Sequence, residues 1–488
     1  MLTVADVAAA TGGRAVGGHP AEPVHGVSID TRTLAPGDLF VALPGTRADG
    51  HDHAGEAAAR GAAAVLVHRD LEPPPGPGGR PVTAIRVADT GRALSDLARA
   101  AHAGLAAAGT RTVGITGSAG KTTTKDLLAH LLAGHARDPD SVVAPPGSFN
   151  NEIGLPLTVA RAGTADPAPA FLVLEMGARG VGHIAGLCRV ATPDVGVVLM
   201  VGSAHLSEFG SREGIARAKG ELVEALPATG VAVLNADDDL VMGMAPRTAG
   251  RVVTFGTAPG PDVAAADVEV GADARARFTL VAGGAGAPVH LPQPGDHQVV
   301  NALAAAAVAI VEGMDVATVA ARLSEPGATS PHRMAVTRRP DGVTVVDDAY
   351  NASPETVASA LRSLATLGRG GPGRTWAVLG PMLELGAESV AEHDRVGRLA
   401  VRLNVSRLVA VGDDARPVDL AARHEGSWGG ESTWVPDAAG AARILDAELA
   451  PGDVVLLKAS NAAGLWRLAG RLAAGLPARD AHEEVLAR

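Results

Sequence analysis

The stretch TGSAGKTTT, Thr116 to Thr124, holds the residue types that grip phosphate. Gly117 and Gly120, on either side of Ser118 and Ala119, let backbone N–H groups curl around an anion, and a helix starting there adds the positive end of its dipole. Lys121 is a compact ammonium able to reach between β- and γ-phosphates. Thr122, followed by Thr123, offers a hydroxyl to Mg²⁺. Ile115 stands where the full eight-residue motif has its first glycine, so a glycine turn without a ligand stays open as an alternative.

Three further side chains are candidates for a metal on bound phosphates, two of them just past apolar runs. LEMGARG puts Glu175 just past one such run, at the end of a strand where a carboxylate reaches a bound ion. SAHLSEFGS offers His205 at a comparable place. For each alone, a solvated strand end or a structural histidine is the bland reading. The third is Lys219 in ARAKGEL. The chain has only four lysines, Lys121, Lys125, Lys219 and Lys458, against thirty-eight arginines. Positive charge for solubility is supplied by arginine, so each lysine marks a place where guanidinium chemistry could fail. A lysine can lose its proton and add CO₂ to become a metal-binding carbamate, which arginine cannot. A solvated helix lysine is the default reading of Lys219.

These residues need a scaffold of strands and helices in alternation. TVGITGSAGKTTTKDLLAHLLAG reads as a β-branched strand, a glycine turn and a helix with Leu127, Leu128, Leu131 and Leu132 on one face. FLVLEM, VGVVLMV and GVAVLNA are strands in the same region. VTVVDDA, TWAVLG, SRLVAVG and DVVLLKAS repeat the pattern beyond residue 330. Strands alternating with helices predict parallel α/β sheets. Before residue 108 the texture differs, with short runs such as DLFVAL and AAAVLVH and a Pro/Gly-rich loop, EPPPGPGGRP.

The chain has 488 residues, 47% hydrophobic and 19% charged, enough for about three packed domains. A net charge of −11 gives no footprint for nucleic acid. The N-terminus does not read as a signal peptide, and the longest apolar run, Ala302 to Val311, falls short of the roughly 20 residues a membrane span needs. Cys188 is the only cysteine. A soluble, cytoplasmic protein without membrane insertion is expected.

In order along the chain, SIDTRTLAPGDLFVALPGTRADGHD, SFNNEIGLPLT, EMGARGVGHIA, AHLSEFGSREGIARAKGEL, GDHQVVNALAAAA, DDAYNASPETV, MLELG and LLKASNAAGL resemble the ATP-dependent Mur ligases, the amide-forming enzymes of cytoplasmic peptidoglycan precursor synthesis. The resemblance implies a three-domain α/β architecture. An N-terminal UDP-MurNAc-binding domain would cover residues 1–108, a central phosphate-loop ATPase domain 109–329, and a C-terminal Rossmann-like domain binding ATP and a dipeptide 330–488. Within the family, the pattern is most similar to members that join D-alanyl-D-alanine to UDP-N-acetylmuramoyl-tripeptide through an acyl phosphate.

The resemblance also implies roles for particular residues. Lys121 and Thr122 serve ATP and Mg²⁺, two ions being expected. Glu175, His205 and Lys219 match metal-binding positions, Lys219 as its carbamate. Asn301 matches an adenine-contacting position, with His297 nearby. Arg333 matches an arginine brought to the nucleotide by the C-terminal domain, and Asp347, Asp348, Tyr350 and Asn351 the segment flanking ATP. Ser28, Asp30, Thr31 and Arg32 match the uridine-nucleotide contacts. Asn150 and Asn151 are expected at the substrate, and Lys458 and Ser460 near the acceptor dipeptide. A monomer is expected. The sequence departs from the family pattern at Ala119, Thr31 and Ser353, and at Pro381, where an acid is usual. If that acid orients the dipeptide's amine its loss weakens acceptor binding; if it caps a turn, proline is harmless. The competing readings are the ligase adding a diamino acid, a folylpolyglutamate-synthase-like ligase, and a nucleotide-binding switch without ligase activity.

Overall fold

Runs of branched apolar residues build three separate sheets in the computed structural model, which describes residues 2–45, 48–145, 147–202, 206–327, 330–425 and 430–476. The first has five strands in the order Arg14–Val16, Thr83–Arg86, Ala64–Val67, Asp38–Val41, Gly26–Ser28. Its last four are parallel and the first is an antiparallel edge. The proline-rich stretch after residue 72 forms only a short turn, Pro77–Gly79, as a segment without repeated backbone donors must.

The second sheet has nine strands. Its parallel part runs Val142–Val143, Phe171–Glu175, Arg111–Thr116, Val195–Val198, Val231–Asn235, Arg251–Gly256. The four inner strands, from Phe171–Glu175 to Val231–Asn235, are buried on both faces, which is why they read as unbroken apolar runs. Val263–Val270 joins Arg251–Gly256 in parallel and is continued by Arg275–Ala282 and Ala285–Pro294 as an antiparallel extension. In Arg275–Ala282, buried and more exposed residues alternate, the period-two pattern of a sheet with one wet face. Helix Gln298–Val311 carries the apolar run noted above. It is buried nearly all round against helix Lys121–His135 and the sheet, alanines permitting the close approach. Among the described residues no helix is long and apolar enough to cross a membrane.

The third sheet has the order Ala335–Arg338, Thr344–Asp347, Val454–Lys458, Thr375–Leu379, Arg407–Val411, Ser432–Val435, parallel except for its first strand. Helices cover both faces over two apolar clusters, a doubly wound arrangement.

The first two units are joined by more than chain. Helix Gly154–Ala162 packs on helix Thr90–Ala107, and Arg161 Nε donates to the Val27 carbonyl at 2.7 Å. The turn after Gly26–Ser28 is thereby tied to the helix that follows the loop carrying Asn150.

Candidate active site

Strand Arg111–Thr116 ends in the glycine loop, and helix Lys121–His135 begins directly after it. Gly120 has φ +85°, and a Cβ there would lie 2.3 Å from Asn301 Oδ1; one on Gly117 would lie 2.8 Å from Leu199 Cβ. Only glycine fits either place. Ser118 N donates to the Met200 carbonyl at 3.0 Å, and Ser118 Oγ accepts from Gly202 N at 2.9 Å, which lashes the loop to the neighbouring strand end. Ala119 and Thr123 are half-buried within the same turn. Lys121 Nζ donates back to the Gly117 carbonyl at 2.7 Å.

Asn301 lies beneath this loop. It is buried, its Nδ2 donates to Gln298 Oε1 at 2.9 Å, and its Oδ1 accepts from Thr124 Oγ1 at 3.5 Å. The structure thus gives its amide a supporting place under the phosphate loop. His297 next to it faces the C-terminal unit, where its Nδ1 meets Ser359 Oγ at 2.8 Å.

Glu175 ends the strand beside Arg111–Thr116 and is fully buried. Its Oε2 accepts from Ser148 Oγ at 2.9 Å and Asn150 Nδ2 at 3.4 Å, while Asn150 Nδ2 also donates to Ser148 Oγ at 2.7 Å. Asn150 therefore orients the carboxylate, with Ser148, which the sequence reading missed. Asn151 Oδ1 caps helix Gly154–Ala162 through Ile153 N and Gly154 N. The loop is set by Lys125, whose Nζ donates to the Pro145 carbonyl and pairs with Asp126 at 2.8 Å.

The C-terminal unit reaches into this site through one arginine. Arg333 Nη2 donates to Thr122 Oγ1 at 3.0 Å, and the guanidinium lies 4.3 Å from the centre of the Tyr350 ring. His332 and Met334, its neighbours, have φ of +61° and +49°, conformations that cost L-residues energy and persist only where other contacts hold them. Two carboxylates do so. Asp347 Oδ2 lies 2.6 Å from His332 Nδ1, and Asp348 Oδ1 accepts from Met334 N at 3.2 Å. Asp348 Oδ2 also takes Lys458 Nζ at 2.5 Å, and that ammonium donates to the Asn351 carbonyl at 2.9 Å. Ser460 pins the turn after Thr375–Leu379: its N–H donates to the Pro381 carbonyl at 3.0 Å, and its Oγ accepts from Leu383 N at 3.1 Å.

Lys219 overturns the default of a solvated helix lysine. It closes helix Arg212–Lys219, is 6% exposed, and its ammonium has no hydrogen bond or ion pair among the described residues. Burial and then the Lys121 charge hold its pKa well below the usual lysine value. Burial lowers Lys121 too, opposed by Glu175 and reinforced by Arg333. Lys458 is lowered by burial, with Asp348 opposing. His205 lies outside the described residues.

Three buried atoms here lack a hydrogen-bond partner among the described residues: Thr116 Oγ1, Glu175 Oε1 and Arg333 Nε. An orphaned carboxylate oxygen and guanidinium N–H demand an explanation in a folded protein. A magnesium nucleotide fits all of it, with glycines cradling phosphate, Lys121 and Arg333 offsetting negative charge, and Thr122 and Glu175 facing a cation.

Ser28, Asp30, Thr31 and Arg32 form a separate turn on the first sheet. Ser28 Oγ donates to the Asp30 carbonyl at 2.9 Å, and Arg32 forks onto Asp30 at 2.7 and 3.0 Å, which holds that carboxyl below its usual pKa. Arg32 is exposed and Thr31 buried.

A nucleotide-dependent phosphoryl-transfer enzyme is defined by this combination of a phosphate loop, a carboxylate at the adjacent strand end and a third sheet delivering an arginine. Family models for the Mur ligases match in chain order: the family's catalytic domain over residues 23–102, its middle domain over 115–309 and its glutamate ligase domain over 332–461. The UDP-N-acetylmuramoyl-tripeptide--D-alanyl-D-alanine ligase of Mycobacterium tuberculosis is 49% identical over 513 residues, covering 97% of this chain and 98% of its own. Among solved structures, MurF from Acinetobacter baumannii aligns with a TM-score of 0.81 at 27% identity, covering 97% and 98% of the two chains. MurF from Thermotoga maritima in complex with ADP aligns at 0.75 with 31% identity, covering 92% and 97%. The chain belongs to the Mur ligase family, and within it to the MurF type.

Proposed function

We propose that this chain is the ATP-dependent ligase that joins D-alanyl-D-alanine to UDP-N-acetylmuramoyl-tripeptide, giving UDP-MurNAc-pentapeptide, ADP and phosphate in the cytoplasm. The observation that carries the reading is the fully buried Glu175, one oxygen without a partner among the described residues, beside a phosphate loop whose Thr122 is touched by Arg333 from another domain. The names of the relatives supply the substrates.

In this reading the tripeptide's terminal carboxylate attacks the γ-phosphorus of ATP. A C–O–P linkage forms as the bond to ADP breaks. The dipeptide's amine then attacks the carbonyl carbon, its C–N bond forms, the C–O bond breaks, and phosphate departs as the nitrogen gives up a proton. The protein has to bring anions together, so its work is alignment and charge compensation. Loop N–H groups and Lys121 hold the phosphates, and Asn150 and Ser148 keep Glu175 turned to its task. Because Arg333 belongs to the C-terminal domain, phosphoryl transfer waits for that domain to dock. Thr122, Glu175, His205 and a carbamylated Lys219 would hold Mg²⁺, which when bound polarises the phosphates as a Lewis acid. Support for the carbamate lies in the burial of Lys219 and in its lack of an acceptor among the described residues; a neutral amine is the form that adds CO₂. The turn formed by Ser28, Asp30, Thr31 and Arg32 would receive the uridine end.

The test is phosphate release from ATP by the full chain with UDP-MurNAc-tripeptide, with and without D-alanyl-D-alanine. Release that needs both substrates, with a pentapeptide product by mass spectrometry, supports the reading. Turnover indifferent to the dipeptide overturns it.

A further inference from the structure

A cleft of about 530 Å³ lies between the central and C-terminal domains. On one side are Met200, Val201 and Gly202, which follow strand Val195–Val198; Gly202 N bonds Ser118 of the phosphate loop. On the other are the first turn of helix Pro354–Leu367 and the first two turns of helix Ser389–Arg402. The strands before those helices, Thr344–Asp347 and Thr375–Leu379, both flank Val454–Lys458 in parallel. Both sheets therefore turn their C-terminal edges to the cleft, the edge at which open α/β sheets take ligands.

The lining is charged in a particular way. Glu392 is 9% exposed; its Oε1 pairs with Arg395 Nη1 at 2.5 Å, and its Oε2 is buried with no partner among the described residues. Arg212 lies across the cleft with Nη2 on the Val201 carbonyl at 2.9 Å, and Glu355, whose Oε2 accepts from Ser353 Oγ at 3.1 Å, also lines it. Two guanidiniums and two carboxylates leave no net charge, unlike the lysine-rich phosphate site next door. An orphan carboxylate oxygen calls for an N–H donor. Guanidiniums at the rim call for a carboxylate. Met200, Val201 and Pro354 offer apolar surface between them.

We propose that this cleft is the subsite for the acceptor dipeptide, a small zwitterion whose ammonium is taken by Glu392 Oε2 and whose carboxylate is taken by Arg395. The assignment rests on the ligase reading above and extends it to a cleft whose lining includes neither Lys458 nor Ser460, whose hydrogen bonds run within the C-terminal domain. It puts the amine beside the phosphate loop, and it makes specificity for a free C-terminus a property of the helix Ser389–Arg402.

Steady-state kinetics of the full chain test it. Glu392→Gln is expected to raise KM for D-alanyl-D-alanine about tenfold or more, as loss of a charged hydrogen-bond partner does, with KM for ATP and for the UDP-linked tripeptide unchanged. Arg395→Ala is expected to erase the wild-type preference for the dipeptide over its C-terminal carboxamide, while Arg395→Lys restores part of it. A merely structural role would not move that preference selectively. If the wild-type enzyme makes pentapeptide, yet Glu392→Gln keeps its dipeptide KM within about twofold and Arg395→Ala keeps the preference, the subsite is refuted and the ligase reading stands. If the wild-type enzyme shows no dipeptide-dependent turnover, it is the ligase reading that fails.

Discussion

Lys458→Met separates the two purposes a buried lysine can serve. The ammonium is 2.5 Å from Asp348 Oδ2 and 2.9 Å from the Asn351 carbonyl, and the residue is 2% exposed. Methionine keeps the stem's packing and leaves Asp348 as a buried carboxylate with, among the described residues, only the Met334 amide as a donor to its side chain. Removing one partner of a buried pair costs about 3–5 kcal/mol. For a unit of roughly 150 residues, each kcal/mol lowers Tm by about 2–4 °C, so the C-terminal transition should fall by on the order of 10 °C. Pairing the change with Asp348→Asn removes the stranded charge and should recover a good part of that loss. Differential scanning calorimetry of the two variants reads both numbers. A Lys458→Met protein that melts within about 2 °C of wild type, with only its dipeptide KM raised, would refute the keystone role and make Lys458 an acceptor contact.

Arg333→Ala is expected to lower kcat about a hundredfold or more with little change in KM for ATP, and Arg333→Lys to recover little, having neither the fork nor the flat face that lies on Tyr350; steady-state kinetics decides. Lys219→Ala should lose most activity and regain part of it with acetate, and Lys219→Arg should fail as badly; a fully active alanine variant would dismiss the carbamate. Cys188 is 3% exposed and burial pushes its thiol up to about 12. Below the unfolded value of about 8.5 the thiol is protonated whether folded or not, so its contribution to stability is intact there and is lost as pH climbs towards about 12. An aromatic disulfide reagent at about pH 8 should therefore find no thiol in the native chain and one per chain after denaturation.

The phosphate loop was legible because all its parts are local: strand, glycines, lysine and helix follow one another within a few residues. The parallel strands were legible because burial on both faces leaves unbroken apolar runs. The antiparallel extension from Val263 to Pro294 was not, since VAAADVEV and GAPVHLPQP carry exposed and proline positions that weaken a strand pattern. Lys219 could not be placed by its helix, whose composition is polar; its burial comes from what packs on it. Asn301, Asp347 and Asp348 sit in motifs the sequence picked out, but their hydrogen bonds run to Gln298, His332 and Lys458. A motif fixes where a residue is and leaves open whether it touches ligand or holds the residue that does. Ser148 opens the motif SFNNEIGLPLT but nothing in that motif marks it as a partner of Glu175, and Glu392 lies in no motif; only their position beside a carboxylate and a cleft singles them out.

The most direct measurement follows an oxygen atom. UDP-MurNAc-tripeptide labelled with heavy oxygen in its terminal carboxylate is turned over with ATP and D-alanyl-D-alanine, and the released phosphate is examined by mass spectrometry. Carboxylate activation by ATP predicts one labelled oxygen in each phosphate released. Unlabelled phosphate would mean that water took the phosphoryl group, and the site would be a nucleotide hydrolase built on a ligase fold.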